Sequence, residues 1–156
     1  MTGAGFAAAS GDGPPPPDDP EGRRAAEVRV AFEGLLQIRR LSNTGSGDPR
    51  ARPARWERNR PERAVALALE AAGTAPSAVD ATGARTATGY RVGPGERPGA
   101  VRVEWLGPPG SGAVAEEEAR LTECARTLER LGWEALLYRG PRKRRFLEVE
   151  PMPGPE

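Results

Sequence analysis

Apolar positions recur along this chain with two periods, and the period changes near residue 86. From Val28 the spacing runs four, three and three through Phe32, Leu35 and Ile38, which draws one stripe on a helix. Asp19, Pro20 and Glu21 precede it as cap, first helical residue and dipole-matching acid, so the helix is predicted from Asp19 to near Leu41. Arg39 and Arg40 then fall in the last turn, where positive charge offsets the dipole. A second helix is predicted from around Asn59, with Asn59 and Glu62 at capping-box spacing and Pro61 in the first turn. Val65, Ala68, Leu69 and Ala72 form its apolar face, and Gly73 suits a left-handed stop.

Beyond residue 86 the period falls to two. Thr86, Thr88, Tyr90 and Val92 share one side, and after the turn GPGERPG so do Val101, Val103 and Trp105, with Arg102 and Glu104 opposite. This is a hairpin with one wet face. The helical period returns with Val114, Leu121, Cys124, Leu128 and Leu131; Glu116 with Arg120 and Glu123 with Arg126 support its outer side, and Gly132 ends it. Residues 134–139 and 145–149 then make a second hairpin across GPRK. The predicted fold class is α+β: two N-terminal helices followed by a ββαββ unit, its four-stranded sheet covered by one helix. A parallel pairing is expected if the strands flanking the 114–131 helix are neighbours.

The domain plan is a disordered tail over 1–18, a single α+β domain over 19–150 with its ββαββ core at 86–150, and a short tail at 151–156. The first tail is rich in Gly, Ala and Pro, with a polyproline patch at Pro14–Pro17, and has too little apolar surface to offset its chain entropy. Residues 42–60, SNTGSGDPRARPARWERNR, show no periodicity and read as an Arg-rich loop inside the domain.

Charge changes this picture only locally. Lys plus Arg number 23 against 22 Asp plus Glu, yet residues 21–86 hold twelve bases and eight acids. All but Lys143 of the bases are Arg, which suits phosphate recognition but fits the codon bias of a GC-rich genome better. With no His and one Cys, the chain excludes an intramolecular disulfide and a thiolate metal cluster. No signal peptide or membrane-spanning run is readable, so a cytoplasmic location without a membrane partner is expected.

Two segments come close to known motifs. GPPGSGAV at 107–114 resembles the Walker A motif of AAA-type ATPases, but Ala113 stands where Lys is needed, Val114 replaces the magnesium-binding hydroxyl, and Glu116, Glu117 and Glu118 repel a triphosphate. AAGTAPSAV at 71–79 resembles the turn of bacterial helix-turn-helix regulators, which would make the 86–105 hairpin a wing. Its recognition helix would offer few donors.

Two basic clusters are the candidate contact sites. Arg50, Arg52, Arg55, Arg58 and Arg60 surround Trp56, a composition that can clamp a phosphate backbone and stack a base, although a solvated linker whose Trp56 tucks onto the core is the favoured reading. Arg142, Lys143, Arg144 and Arg145 gather at the second hairpin turn beside Arg139, Tyr138 and Phe146; the alternative role is protection of a sheet edge. Glu148 and Glu150 share a strand face without a pocket signal, and Cys124 lies among leucines without a base.

TATGY, VEWLG, GSGA, GWEALLYRG and RRFLEVEP together resemble a family of small uncharacterised proteins from high-GC actinobacteria, over about residues 60 to 150. The resemblance implies a folded domain and carries no activity. The expected function is a non-enzymatic binding or regulatory protein without cofactor, engaging a protein partner through the open sheet face or the Arg-rich loop. The alternative is association with nucleic acid, winged-helix-like or through the basic loops. An open sheet edge also allows a homodimer.

Overall fold

The computed structural model describes residues 6 to 153. Helix α1 spans Arg23–Ser42. It begins four residues later than predicted, because Asp19–Gly22 closes a turn in which the Gly22 N–H donates to the Asp19 carbonyl. Pro20 therefore sits in that turn and not at the first helical position. Gly22 takes the capping position expected of Asp19, whose carboxylate instead reaches in to accept from the N–H groups of Arg24 and Ala25 at 3.1 and 3.0 Å, and these bonds hold its carboxyl below the usual range.

The Arg-rich segment is not a featureless loop. Asp48 caps a 3-10 turn at Pro49–Ala51, and a short helix α2 follows at Arg55–Asn59. Helix α3 spans Pro61–Ala71. The Asn59–Glu62 capping box does not form, since Asn59 is itself the last residue of α2 and Arg60 holds the capping position. An unbroken buried run from Ala64 to Leu69 shows α3 enclosed on several sides, and Gly73 follows it with φ +86°, the stop expected.

The strand predicted from Thr86 to Val92 divides between two sheets. Strands β1 (Ala78–Val79) and β2 (Arg85–Ala87) form a small antiparallel pair, closed by Asp80, which accepts from the Thr82 and Ala84 N–H groups. There is no helix here, so the helix-turn-helix reading lacks its recognition element. β3 (Gly89–Pro94) starts where residues 75–77 cross: an added Cβ at Gly89 would lie 2.2 Å from the Ala75 carbonyl oxygen.

The main sheet contains β3, β4 (Val101–Leu106), β5 (Trp133–Arg139) and β6 (Arg145–Pro151), in the order β3-β4-β6-β5. Every pairing is antiparallel. The strands on either side of helix α4 (Ala113–Arg130) are not neighbours, because β6 enters between β4 and β5, and so the condition for a parallel pairing is not met. The one-sided alternation holds: Val101, Val103, Trp105, Leu147, Val149 and Trp133 are buried under α4. Helix α3 joins α4 in that covering layer through Val65, Ala68 and Leu69. Val114, counted in the apolar stripe of α4, is 60% exposed, and buried Glu117 takes the inward position.

Part of the tail predicted to be disordered is docked. Residues 8–13 run as a strap past β3: the Val92 N–H donates to the Ser10 carbonyl, and the Val79 N–H to the Gly13 carbonyl. Asp12 bridges Arg85 and Arg91, each at 2.6 Å, while Glu70 accepts from the Ala9 N–H and from Arg24. Polar anchoring thus supplies what apolar burial could not. Residues 1–5 of that tail and 154–156 of the other lie outside the described residues; Met152 still bonds back to the Gly132 carbonyl.

Candidate functional site: an apolar groove along the first helix

A buried clasp fastens the helical half. Arg39, 1% exposed, forks onto Glu57, 0% exposed, with both nitrogen–oxygen distances 2.7 Å. Its third nitrogen donates at 2.8 Å to the carbonyls of Arg50 and Leu131, and Glu57 reaches back to the Ala54 N–H. Arg39 therefore does not serve as the solvent-facing dipole charge expected of it. It ties α1 to the Arg-rich segment and to the end of α4, satisfying its donors as a buried guanidinium must.

A groove of about 650 Å³ runs along α1, bounded by Trp56 of α2, by Arg63 and Leu67 of α3 and by Phe6 of the N-terminal segment. Its floor is Leu35, Ala31 and Leu67, its wall is Trp56, and Arg63 and Glu27 stand at its edges. Gly34 contributes no side chain, and open space surrounds its position. Val30 at 65%, Ile38 at 46% and Leu41 at 72% exposure extend the apolar surface along the helix. The spacing places Ile38 on the inward stripe of Val28 and Leu35, but in the structure that stripe ends in Arg39. Val30 has no place in the predicted stripe and Leu41 figures only as the helix end; the signal for both is a second apolar line, Val30, Ile38, Leu41, beside the first.

Trp56 tucks onto the core, the second of the two roles foreseen for it, and packs against both apolar clusters. Its indole N–H is closed off from solvent without an acceptor among the described residues. The arginines around it scatter in purpose. Arg52 donates to the Thr44 carbonyl, Arg58 to the Pro53 carbonyl, and Arg50 pairs loosely with Asp48 at 3.7 Å. Arg55 and Arg60 are exposed and make no ion pair among the described residues.

The second basic cluster divides likewise. Arg144 pairs with buried Glu117 at 2.7 Å, the Arg145 N–H donates to the same carboxylate, and the Arg145 side chain lies 3.7 Å from Glu118. The acids that crowd the start of α4 thus anchor the far hairpin. Arg142 and Lys143 alone project from the tip, both with left-handed φ, +60° and +61°.

The open sheet face is tied together by its own charges: Arg91 to Glu104 at 2.6 Å, Arg102 to Glu148 at 2.9 Å, and Arg97 to Glu150. Arg102 also sits 3.9 Å over the ring of Phe146, which stacks with Tyr138 at 5.8 Å. Glu148 is consequently a structural acceptor, taking the Glu96 N–H as well. Cys124 lies in the core, where burial pushes its thiol up to about 12. Among the described residues no group of three His, Cys, Asp or Glu is placed to hold a metal ion, and no helix is long and apolar enough to cross a membrane.

Ser111 and Gly112 stand at the start of α4 as a Gly-Pro connection would place them, with Gly112 at φ +82°. No known protein family, curated protein or solved structure matches the chain.

Proposed function

We propose that this protein is a non-enzymatic binding module that receives an amphipathic helix of a partner protein in the groove beside α1. The observation that carries the reading is the apolar surface left bare on α1: Val30, Ile38 and Leu41 stay exposed next to a groove floored by Leu35 and Leu67. Single exposed apolar residues are ordinary, but a continuous apolar groove on one helix is the common form of a helix-binding site. From Ala26 to Ile38 the lining covers about 18 Å at ~1.5 Å per residue, room for three turns of a second helix. Gly34 lets that helix approach the α1 backbone closely. Glu27 on one edge and Arg63 on another provide polar ends that orient it. The Arg-rich segment takes part through Trp56, and the open sheet face, with its charges mutually paired, is the weaker candidate for the same role.

The test is capture of partners from the native cell with the wild-type chain and with a Val30→Glu, Ile38→Glu variant. The expected result is a protein held by the wild type in high salt and after nuclease treatment, and lost from the variant. Retention by the variant contradicts the groove.

A second reading, association with nucleic acid, draws on the tip residues Arg142 and Lys143 together with Arg55 and Arg60, whose charges are unspent. Its mark is binding that weakens steeply with salt and falls when Arg142 and Lys143 are neutralised.

A further inference from the structure

The two edges of the main sheet are treated differently. The β3 edge is occupied: the Tyr90 N–H donates to the Ala75 carbonyl, the Ser77 N–H to the Tyr90 carbonyl, and the Val92 N–H to the strap at Ser10. β5, the other edge, carries no such cover among the described residues. It also presents Leu136, Leu137 and Tyr138 at 46, 41 and 46% exposure. A long apolar strand left at an open edge is a template for pairing.

We infer that two copies of the chain join antiparallel along β5, about a two-fold axis at Leu137. The register follows from the bonds inside the hairpin. Gly140 and Arg144 face each other through the Gly140 N–H, and Met152 and Gly132 do the same at the far end. In an antiparallel pair such bonded positions recur every second residue, so Glu134, Leu136 and Tyr138 turn their backbone groups toward β6. Ala135, Leu137 and Arg139 then turn theirs outward. At the start of the strand Ala51 and Pro53 crowd Gly132, where an added Cβ would lie 2.2 Å from the Ala51 oxygen, and this excludes a register that runs back over Trp133.

Centring on Leu137 uses all three free positions: Leu137 meets its own copy, and Ala135 meets Arg139 in both directions. Leu136 is then opposite Tyr138 on the open face, which sets the exposed apolar residues against one another. Glu134 and Arg139 fall away from the axis, so no like charges are opposed. The result is a continuous sheet of eight strands, four from each copy. This site lies on a different element from the α1 groove and does not depend on it.

Sedimentation equilibrium of the full chain is expected to give the dimer mass, and Leu137→Lys, which puts two ammonium groups on the axis, to give the monomer with an unchanged circular dichroism spectrum. Independently, Leu137→Cys should form a disulfide-linked dimer on mild oxidation, because bonded antiparallel pairs hold Cα atoms at ~5.5 Å, within the disulfide range. Leu136→Cys should not, since it opposes Tyr138. A monomeric wild type, a Leu137→Lys variant that remains a dimer, or cross-linking through Leu136→Cys as efficient as through Leu137→Cys would overturn the inference.

Discussion

Arg39 and Glu57 illustrate how one buried pair can organise a region that has no hydrophobic pattern. Both are fully enclosed, and their remaining hydrogen-bonding capacity goes to backbone atoms, Arg39 to the Arg50 and Leu131 carbonyls and Glu57 to the Ala54 N–H. Glu57→Ala leaves an uncompensated guanidinium in the interior and is expected to cost about 3–5 kcal/mol in a denaturant titration. Replacement of both residues by apolar side chains of similar volume should cost much less, which separates the burial of a lone charge from loss of packing. Cys124 makes the opposite case, a reactive group with nothing to do. With its thiol raised by burial, it is expected to resist alkylation in the native protein at pH 8 and to react at once on unfolding. That Asp19 serves the first amides of α1 was legible from the sequence, because such bonds are local, although Gly22 and not Asp19 holds the capping position. The role of Arg39 was not, because its partner lies 18 residues away in a stretch without periodicity.

At the level of elements, the strap and the split strand carry the same lesson. Residues 8–13 hold β3 through backbone bonds, Asp12 and Glu70, none of which a compositional reading of a Gly- and Pro-rich tail registers. Gly11 is required there: its φ is +95°, and an added Cβ would meet the Tyr90 oxygen at 2.2 Å. Gly11→Ala is expected to release the strap and expose the Val92 and Val79 amides to hydrogen exchange without unfolding the sheet. Acid should do the same. Burial alone would raise the carboxyls of Glu70 and Asp12, but their arginine partners outweigh it and both are lowered from 4.5 and 3.8. A lowered folded pKa stabilises above the unfolded value and is lost as pH falls through the folded one. The strap is therefore expected to stay docked at neutral pH and to detach only as the pH falls below the unfolded values and through the lowered folded ones, read as loss of Val92 protection after correction for intrinsic exchange.

For the molecule as a whole, the alternation of Val101, Val103 and Trp105 and the stripe of Leu121, Cys124 and Leu128 were enough to give the α+β class and the hairpin–helix–hairpin order. Strand order was not legible, since the periodicity that turns β4 and β6 inward does not say which strands are neighbours. The groove was illegible for another reason: surface apolar residues on a helix look like core residues until the helix has been placed. Hydrogen–deuterium exchange with and without the captured partner protein tests the central claim most directly. Protection is expected over residues 26–38 and around Trp56, where the groove lies. Protection confined to the 139–145 turn or to the open face of β4 and β6, with α1 unchanged, would contradict it.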